Sequence, residues 1–194
     1  MFFDVGETLV DEERYWRRIA EAVGVRPHVL WAALGVTIAC GEEHSRVYDY
    51  LGVEAVPGAP AYYEPEDLFP DALAAIAALR GRGLFVGVAG NQSAELEDWF
   101  AGQTSEVDYV VSSERLGVRK PDPAFFEALI GAAGCAPGEA AYVGDRVDRD
   151  VLPAKAAGMV AVHVRRGPWG NLQDASAADV RVDSLAELSE ALGL

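Results

Sequence analysis

From Phe69 onward, short apolar runs alternate with segments of helical length and spacing. The runs 84–89, Tyr109–Ser112, 140–143, Val160–Val164 and Val180–Val182 have the length and β-branched content of strands. Helical spacing covers 70–82, 94–100, Pro123–Ala133, 151–157 and 185–192, with Pro70 at one start and Gly83 and Gly158 as terminators. Parallel neighbours need a long crossover, usually a helix. This rhythm therefore predicts an α/β fold with a parallel sheet covered on both faces.

The opening differs. A strand over 1–5 comes first and starts so abruptly that a few lead-in residues are expected before Met1. Residues 11–52 then read as helices: Tyr15, Trp16, Ile19, Ala22 and Val23 recur at helical spacing, 29–39 is apolar, and 42–51 gives a short third helix. Pro57, Gly58, Pro60 and Pro65 mark 53–67 as a linker. The expected organisation is a core of 1–10 and 68–194, with 11–67 a helical cap and linker standing over the sheet's carboxyl edge. A length of 194 residues with 51% apolar content suits one core with a modest insert. The net charge of -15 argues against nucleic acid and anionic membranes as partners. Asp4 interrupts the apolar start, so no signal peptide is read, and no run is long enough to span a bilayer. Cys40 and Cys135 lie far apart in apolar surroundings and read as buried thiols of a cytoplasmic protein.

Two apolar runs end in carboxylates. Phe2-Phe3 leads into Asp4, and Tyr142-Val143-Gly144 leads into Asp145, with Asp150 five residues on. Carboxyl ends of parallel strands are where such folds place ligands. Carboxylates meeting there repel unless a cation or a proton intervenes. An oxygen-rich site of this kind suits magnesium. Taken singly, each aspartate is equally suited to a turn or a helix cap.

Four segments, in order, resemble the motifs of the haloacid dehalogenase superfamily of hydrolases. They are Asp4-Val5-Gly6-Glu7-Thr8-Leu9, 86–91 ending in Gly90-Asn91, Gly117-Val118-Arg119-Lys120-Pro121-Asp122-Pro123, and Gly144-Asp145 with Asp150. The resemblance spans nearly the whole chain and implies a Rossmann-like core with a small helical cap inserted after the first strand. It implies that Asp4 is a nucleophile forming an aspartyl intermediate, and that Lys120 neutralises it and a phosphoryl oxygen. Asp4, the Gly6 carbonyl, Asp145 and Asp150 would hold Mg2+, and Thr8, Gly90 and Asn91 would surround the phosphoryl group of a small phosphorylated metabolite.

Two positions depart from the family's pattern. Phosphatases of this superfamily carry an acid/base aspartate two residues after the nucleophile, where this chain has Gly6. General acid–base help is worth about 10²–10⁴ in rate, so slow turnover is expected. Glu7 is adjacent, but neighbours on an extended segment face opposite ways. The second departure is Gly90, where Ser or Thr is usual. Three activities follow as expectations: slow magnesium-dependent phosphomonoester hydrolysis, phosphoryl-ligand binding without turnover, and 2-haloacid dehalogenation. Phosphonate cleavage through a cap lysine is excluded, because Lys120 and Lys155 are the only lysines. In the cap, Arg14 and Arg46 are candidate substrate contacts, although Glu12, Glu13, Glu42 and Glu43 offer ion-pair partners. Tyr15, Trp16 and Trp31 read as cap core, and His28, His44 and His163 as incidental.

Overall fold

The computed structural model describes residues 1–55 and 63–194. Its sheet comprises β1 (Phe2–Phe3), β2 (Gly87–Gly90), β3 (Tyr109–Ser112), β4 (Ala141–Gly144), β5 (Val160–Val164) and β6 (Val180–Val182). All pairings are parallel, in the order β3-β2-β1-β4-β5-β6. This is the doubly wound order, and it reverses between β1 and β4, where such folds open a ligand crevice. In register, Phe3 pairs with Val88 on one side and Val143 on the other.

Successive strand residues face opposite ways, so Phe2 and Phe3 enter different cores. Phe3 packs with Val88, Val143, Ile76, Leu96 and Phe100. Phe2 packs with Tyr142, Phe125, Phe126 and Leu129. Both phenylalanines are fully buried, each contributing about 1.5–3 kcal/mol by burial. The two-residue strand is thus held by its side chains as well as its ladder.

Three helices follow β1: α1 (Glu13–Ala22), α2 (Pro27–Ala39) and α3 (Val47–Leu51). The insert's ends are stitched together beside β1, where Asp11 N donates to Asp67 O at 2.7 Å and Phe69 N to Leu9 O at 3.0 Å. Pro57, Gly58 and Pro60 of the expected linker lie outside the described residues. The remaining helices are α4 (Ala72–Gly81), α5 (Ala94–Ala101), α6 (Ser113–Leu116), α7 (Pro123–Ala133), α8 (Leu152–Ala156), α9 (Gly167–Leu172) and α10 (Leu188–Ala191). Among the described residues, no single helix is long and apolar enough to cross a membrane.

Several local expectations shift. The helix read at 151–157 begins later, because a π-turn over Val147–Val151 carries Asp150 back toward the sheet. Helix α9 is not among the expected helices, and its opening Gly-Pro-Trp-Gly has low helix propensity. It sends Trp169 into the cluster of Trp16, Ile19, Leu30 and Leu34, so a core residue completes the cap's apolar interior. The rings of Trp16 and Trp169 lie 6.2 Å apart. The cysteines are a correction: Cys40 is exposed and Cys135 half-buried. Cys40 follows the last turn of α2, beyond the stripe that faces the cluster.

Candidate active site

Asp4 follows β1, Asp145 follows β4, Asp150 lies within the π-turn, and Lys120 lies in the loop before α7. All four are buried, none more than 8% exposed. Lys120 Nζ lies 2.8 Å from Asp4 Oδ1 and 2.5 Å from Asp150 Oδ1. One oxygen from each of Asp4, Asp145 and Asp150 falls within 4.8 Å of the others.

Backbone contacts fix this arrangement. Asp4 N donates to Val143 O at 2.9 Å, tying the carboxylate-bearing residue to the neighbouring strand. Asp150 Oδ2 accepts from Arg146 N at 2.9 Å. A Cβ at Gly144 would stand 2.5 Å from that of Asp150, so glycine leaves room for the aspartate to fold inward. Asn91 clamps the lysine loop in both directions: its Nδ2 donates to Lys120 O at 3.0 Å and its Oδ1 accepts from Lys120 N at 2.8 Å. The Asn91 amide is therefore committed to the loop. Thr8 is wholly buried and its hydroxyl has no partner among the described residues, while its carbonyl accepts from Arg166 Nη1 at 2.8 Å.

Three carboxylates face one ammonium, and burial shifts two of them, Asp145 and Asp150. Burial alone would depress the Lys120 ammonium, but Asp150 and Asp4 outweigh it and hold it well above the ordinary lysine range. Burial pushes Asp150 up to about 6 despite Lys120, and pushes Asp145 well above its usual value with help from Asp150, Asp4 and Glu7. Asp145 Oδ2 is buried without a hydrogen-bond partner. Such an atom costs stability unless something meets it. An oxygen-only donor set with excess negative charge and one orphaned carboxylate oxygen fits a hard divalent cation. Asp4, Asp145 and Asp150 can therefore hold a metal ion.

Around Gly6 the structure departs from the extended segment that the sequence reading assumed. The chain turns: Leu9 N and Val10 N both donate to Val5 O at 2.9 Å, and Glu7 adopts φ 51°. Glu7 consequently lines the site. Its carboxyl group packs on Gly167, and burial, then Glu12 and Asp11, push it up to about 9. Glu12, read as an ion-pair partner for cap arginines, instead reaches Gly6. A Cβ built on Gly6 would lie 2.8 Å from Glu12 Cδ, and Tyr63 donates its hydroxyl to Glu12 Oε1 at 2.6 Å. Burial, with the Asp4 charge nearby, raises Glu12 above the usual carboxylate range. At Gly90 a Cβ would stand 2.7 Å from Asp4 Oδ1, so the two residues are in close approach.

A cavity of about 270 Å³ opens above these groups. Its roof includes Tyr15, Trp16 and His44 from the insert, and its rim carries Arg119, Arg146 and Arg149. Tyr15 and Trp16 thus serve as both cap core and cavity wall. His44 is likewise a correction: it faces the cavity, and burial, then Arg146 and Arg149, depress its pKa. Arg14 and Arg46 are not among the lining residues. Arg14 pairs with Glu64 and Asp67 at the far end of the insert, and Arg46 with Asp49 and Glu42 three and four residues away. The rim arginines carry no motif that singles them out in the sequence. Arg146 stacks 4.6 Å from the Trp169 ring centroid and pairs with Asp148, and Arg149 pairs with Glu43 of the insert. Arg119 is exposed and has no ion-pair partner among the described residues. Its adjacency to Lys120 was the available signal.

Residues 1–158 match the sequence profile of the haloacid dehalogenase-like hydrolases. A glyceraldehyde 3-phosphate phosphatase of Methanopyrus kandleri is 30% identical over 202 residues, covering 94% of this chain and 80% of the relative. One from Methanocaldococcus jannaschii is 32% identical over 124 residues, covering 62% of this chain. The match spans 54% of that relative's length. Among solved structures, the L-2-haloacid dehalogenase RSc1362 superposes with a TM-score of 0.74 at 17% identity, over 100% of this chain and 97% of the other. That likeness concerns the fold alone, and it places the insert after β1 in both. With the doubly wound sheet, the insert and the profile match in agreement, the chain belongs to the haloacid dehalogenase-like hydrolases.

Proposed function

We propose that this protein hydrolyses phosphomonoesters of small metabolites with magnesium, through Asp4. The observation that carries this reading is Lys120 Nζ, held between Asp4 and Asp150 beside the orphaned oxygen of Asp145. Lys120 keeps Asp4 oriented, and its ammonium is placed to meet an incoming phosphoryl oxygen. Asp4 attacks phosphorus, the ester oxygen leaves, and water later releases phosphate from the aspartyl group. Asp4, Asp145, Asp150 and the Gly6 carbonyl would hold Mg2+, which when bound offsets phosphoryl charge. The Thr8 carbonyl, anchored by Arg166, holds the turn that follows Asp4. Arg119, uncommitted among the described residues, suits a phosphoryl oxygen or a second anionic group on the substrate.

The glycines at 6 and 90 favour a second reading, a phosphoryl-ligand binder without turnover. Phosphate release from a phosphomonoester panel, with magnesium or chelator, separates the two. Turnover requiring both magnesium and Asp4 supports hydrolysis. Magnesium-dependent binding without product supports the binder, and chloride release from a 2-haloacid would redirect the assignment to dehalogenation.

A further inference from the structure

A phosphatase of this design needs a proton for the departing oxygen, and residue 6 has no side chain to give one. The space above Gly6 is nevertheless filled. A Cβ there would stand 2.8 Å from Glu12 Cδ, so the Glu12 carboxyl group occupies the volume that a side chain at position 6 would enter. Resting on the phosphatase reading, we propose that Glu12 is the catalytic acid and base, supplied from the start of the cap in place of a residue on the nucleophile loop.

Three features place it. The turn after Val5 reverses the chain, and Glu12 immediately precedes α1, so its longer side chain reaches back over Gly6. Tyr63 holds Oε1 at 2.6 Å, fixing the carboxyl group from the far end of the insert. Glu12 also lines the cavity with Asp4, whereas neighbouring Glu13 is exposed and paired with Arg17. Glu7 lines the same cavity, but its carboxyl group packs on Gly167 instead of Gly6.

The reaction balances with these groups. Asp4 Oδ forms a bond to phosphorus as the bond to the ester oxygen breaks, and that oxygen takes the Glu12 proton to leave as an alcohol. Glu12, now a carboxylate, removes a proton from water. The water oxygen bonds to phosphorus, the bond to Asp4 breaks, and inorganic phosphate departs with Asp4 and protonated Glu12 restored.

The test compares wild type, Asp4→Asn, Glu12→Gln, Glu12→Ala and the double variant Gly6→Asp/Glu12→Ala on an alkyl phosphate and p-nitrophenyl phosphate. Glu12→Gln is expected to lower alkyl phosphate turnover about 10²–10⁴-fold. Its initial burst with p-nitrophenyl phosphate, whose leaving group needs little protonation, should survive. The acyl phosphate on Asp4 should then accumulate, detectable by intact mass after acid quench. The double variant should regain at least about tenfold over Glu12→Ala, because an aspartate at position 6 enters the vacated space. A merely structural Glu12 would give neither the leaving-group contrast nor the rescue. Asp4-dependent turnover with Glu12→Gln within about threefold of wild type on both substrates would overturn the proposal and leave the phosphatase reading intact. No Asp4-dependent release by wild type would overturn both. Should Glu12→Gln fail to fold, the double variant decides: folded but without rescue, it counts against Glu12.

Discussion

The floor and the roof of the cavity are built by different rules. On the floor, Asp4, Lys120, Asp145 and Asp150 are buried, and backbone groups of two strands, a π-turn and a clamped loop fix their positions. In the roof, most charges are exposed and satisfy one another: Arg17 with Glu13, Arg46 with Asp49, Arg14 with Glu64. Buried unpaired charge is expensive, whereas an exposed pair is worth about 0–1 kcal/mol. Floor residues therefore cannot change without large cost, and most roof charges can. Glu12 differs from these: half-buried, it turns over Gly6 and is held there by the Tyr63 hydroxyl.

Substitution at the floor should give the largest effects. Asp4→Asn is expected to reduce phosphate release by about 10³-fold or more, to background, with the fold retained. Lys120→Met should be worse for stability. It strands Asp4 and Asp150 at close range, a loss of about 3–5 kcal/mol. For a chain of this size that lowers the melting temperature by roughly 10 °C at neutral pH. Calorimetry should show partial recovery at mildly acidic pH, where one carboxyl group takes up a proton. A Lys120→Met melting temperature equal to wild type would contradict the floor's account.

The next effect is a pH dependence with an inverted sign. Asp150 lies at about 6 and Glu7 at about 9 in the folded protein, both above their unfolded values, with Asp145 also raised. A raised carboxyl contributes stability that is full below its unfolded value and is lost as pH rises through the folded value. In chelator, the melting temperature should therefore fall between about pH 5 and about pH 9. Magnesium should raise it, more at the alkaline end, because the ion binds ionised carboxylates. Saturation to 100-fold above the dissociation constant corresponds to about 2.7 kcal/mol. A melting temperature in chelator that climbs with pH across that range would remove the electrostatic case for a cation site.

The same division explains what the sequence disclosed. The core's strand–helix rhythm is local, and an apolar run ending in Asp4 or Asp145 marks a strand's carboxyl end, so those residues were legible as a site. Lys120 was legible from its motif. Glu12 was not: nothing in Asp11-Glu12-Glu13 distinguishes a carboxylate that folds back over Gly6 from its exposed neighbour. The turn after Val5 and the Tyr63 hydroxyl, fifty-one positions away, make that choice. Helix α9 was missed for a related reason. Its Gly and Pro favour a turn locally, and Trp169 holds it by packing across to the insert. Glu7 faces the site because the chain turns there with φ 51°, where an extended backbone would point it away.

The smallest effects should separate the arginines. Arg119 borders the cavity without an ion-pair partner among the described residues, so Arg119→Ala removes a cation available to substrate. A charged hydrogen bond is worth about 1.5–3 kcal/mol, which predicts a KM raised by roughly tenfold or more with kcat less affected. Arg46 carries the same charge but is 54% exposed and tied to Asp49 and Glu42, away from the lining. Arg46→Ala should shift KM by less than about twofold and stability by under about 0.5 kcal/mol. The pair of variants is informative because net charge changes equally in both. If Arg46→Ala weakened substrate binding as much as Arg119→Ala, long-range attraction by a sparse set of cations on a protein of net charge -15 would govern recognition. The distinction between paired roof charges and the uncommitted rim arginine would then fail. Raising the salt concentration would tell the two apart, since screening at about 0.15 M limits unburied charges to roughly 8 Å. A contact at Arg119 should outlast it.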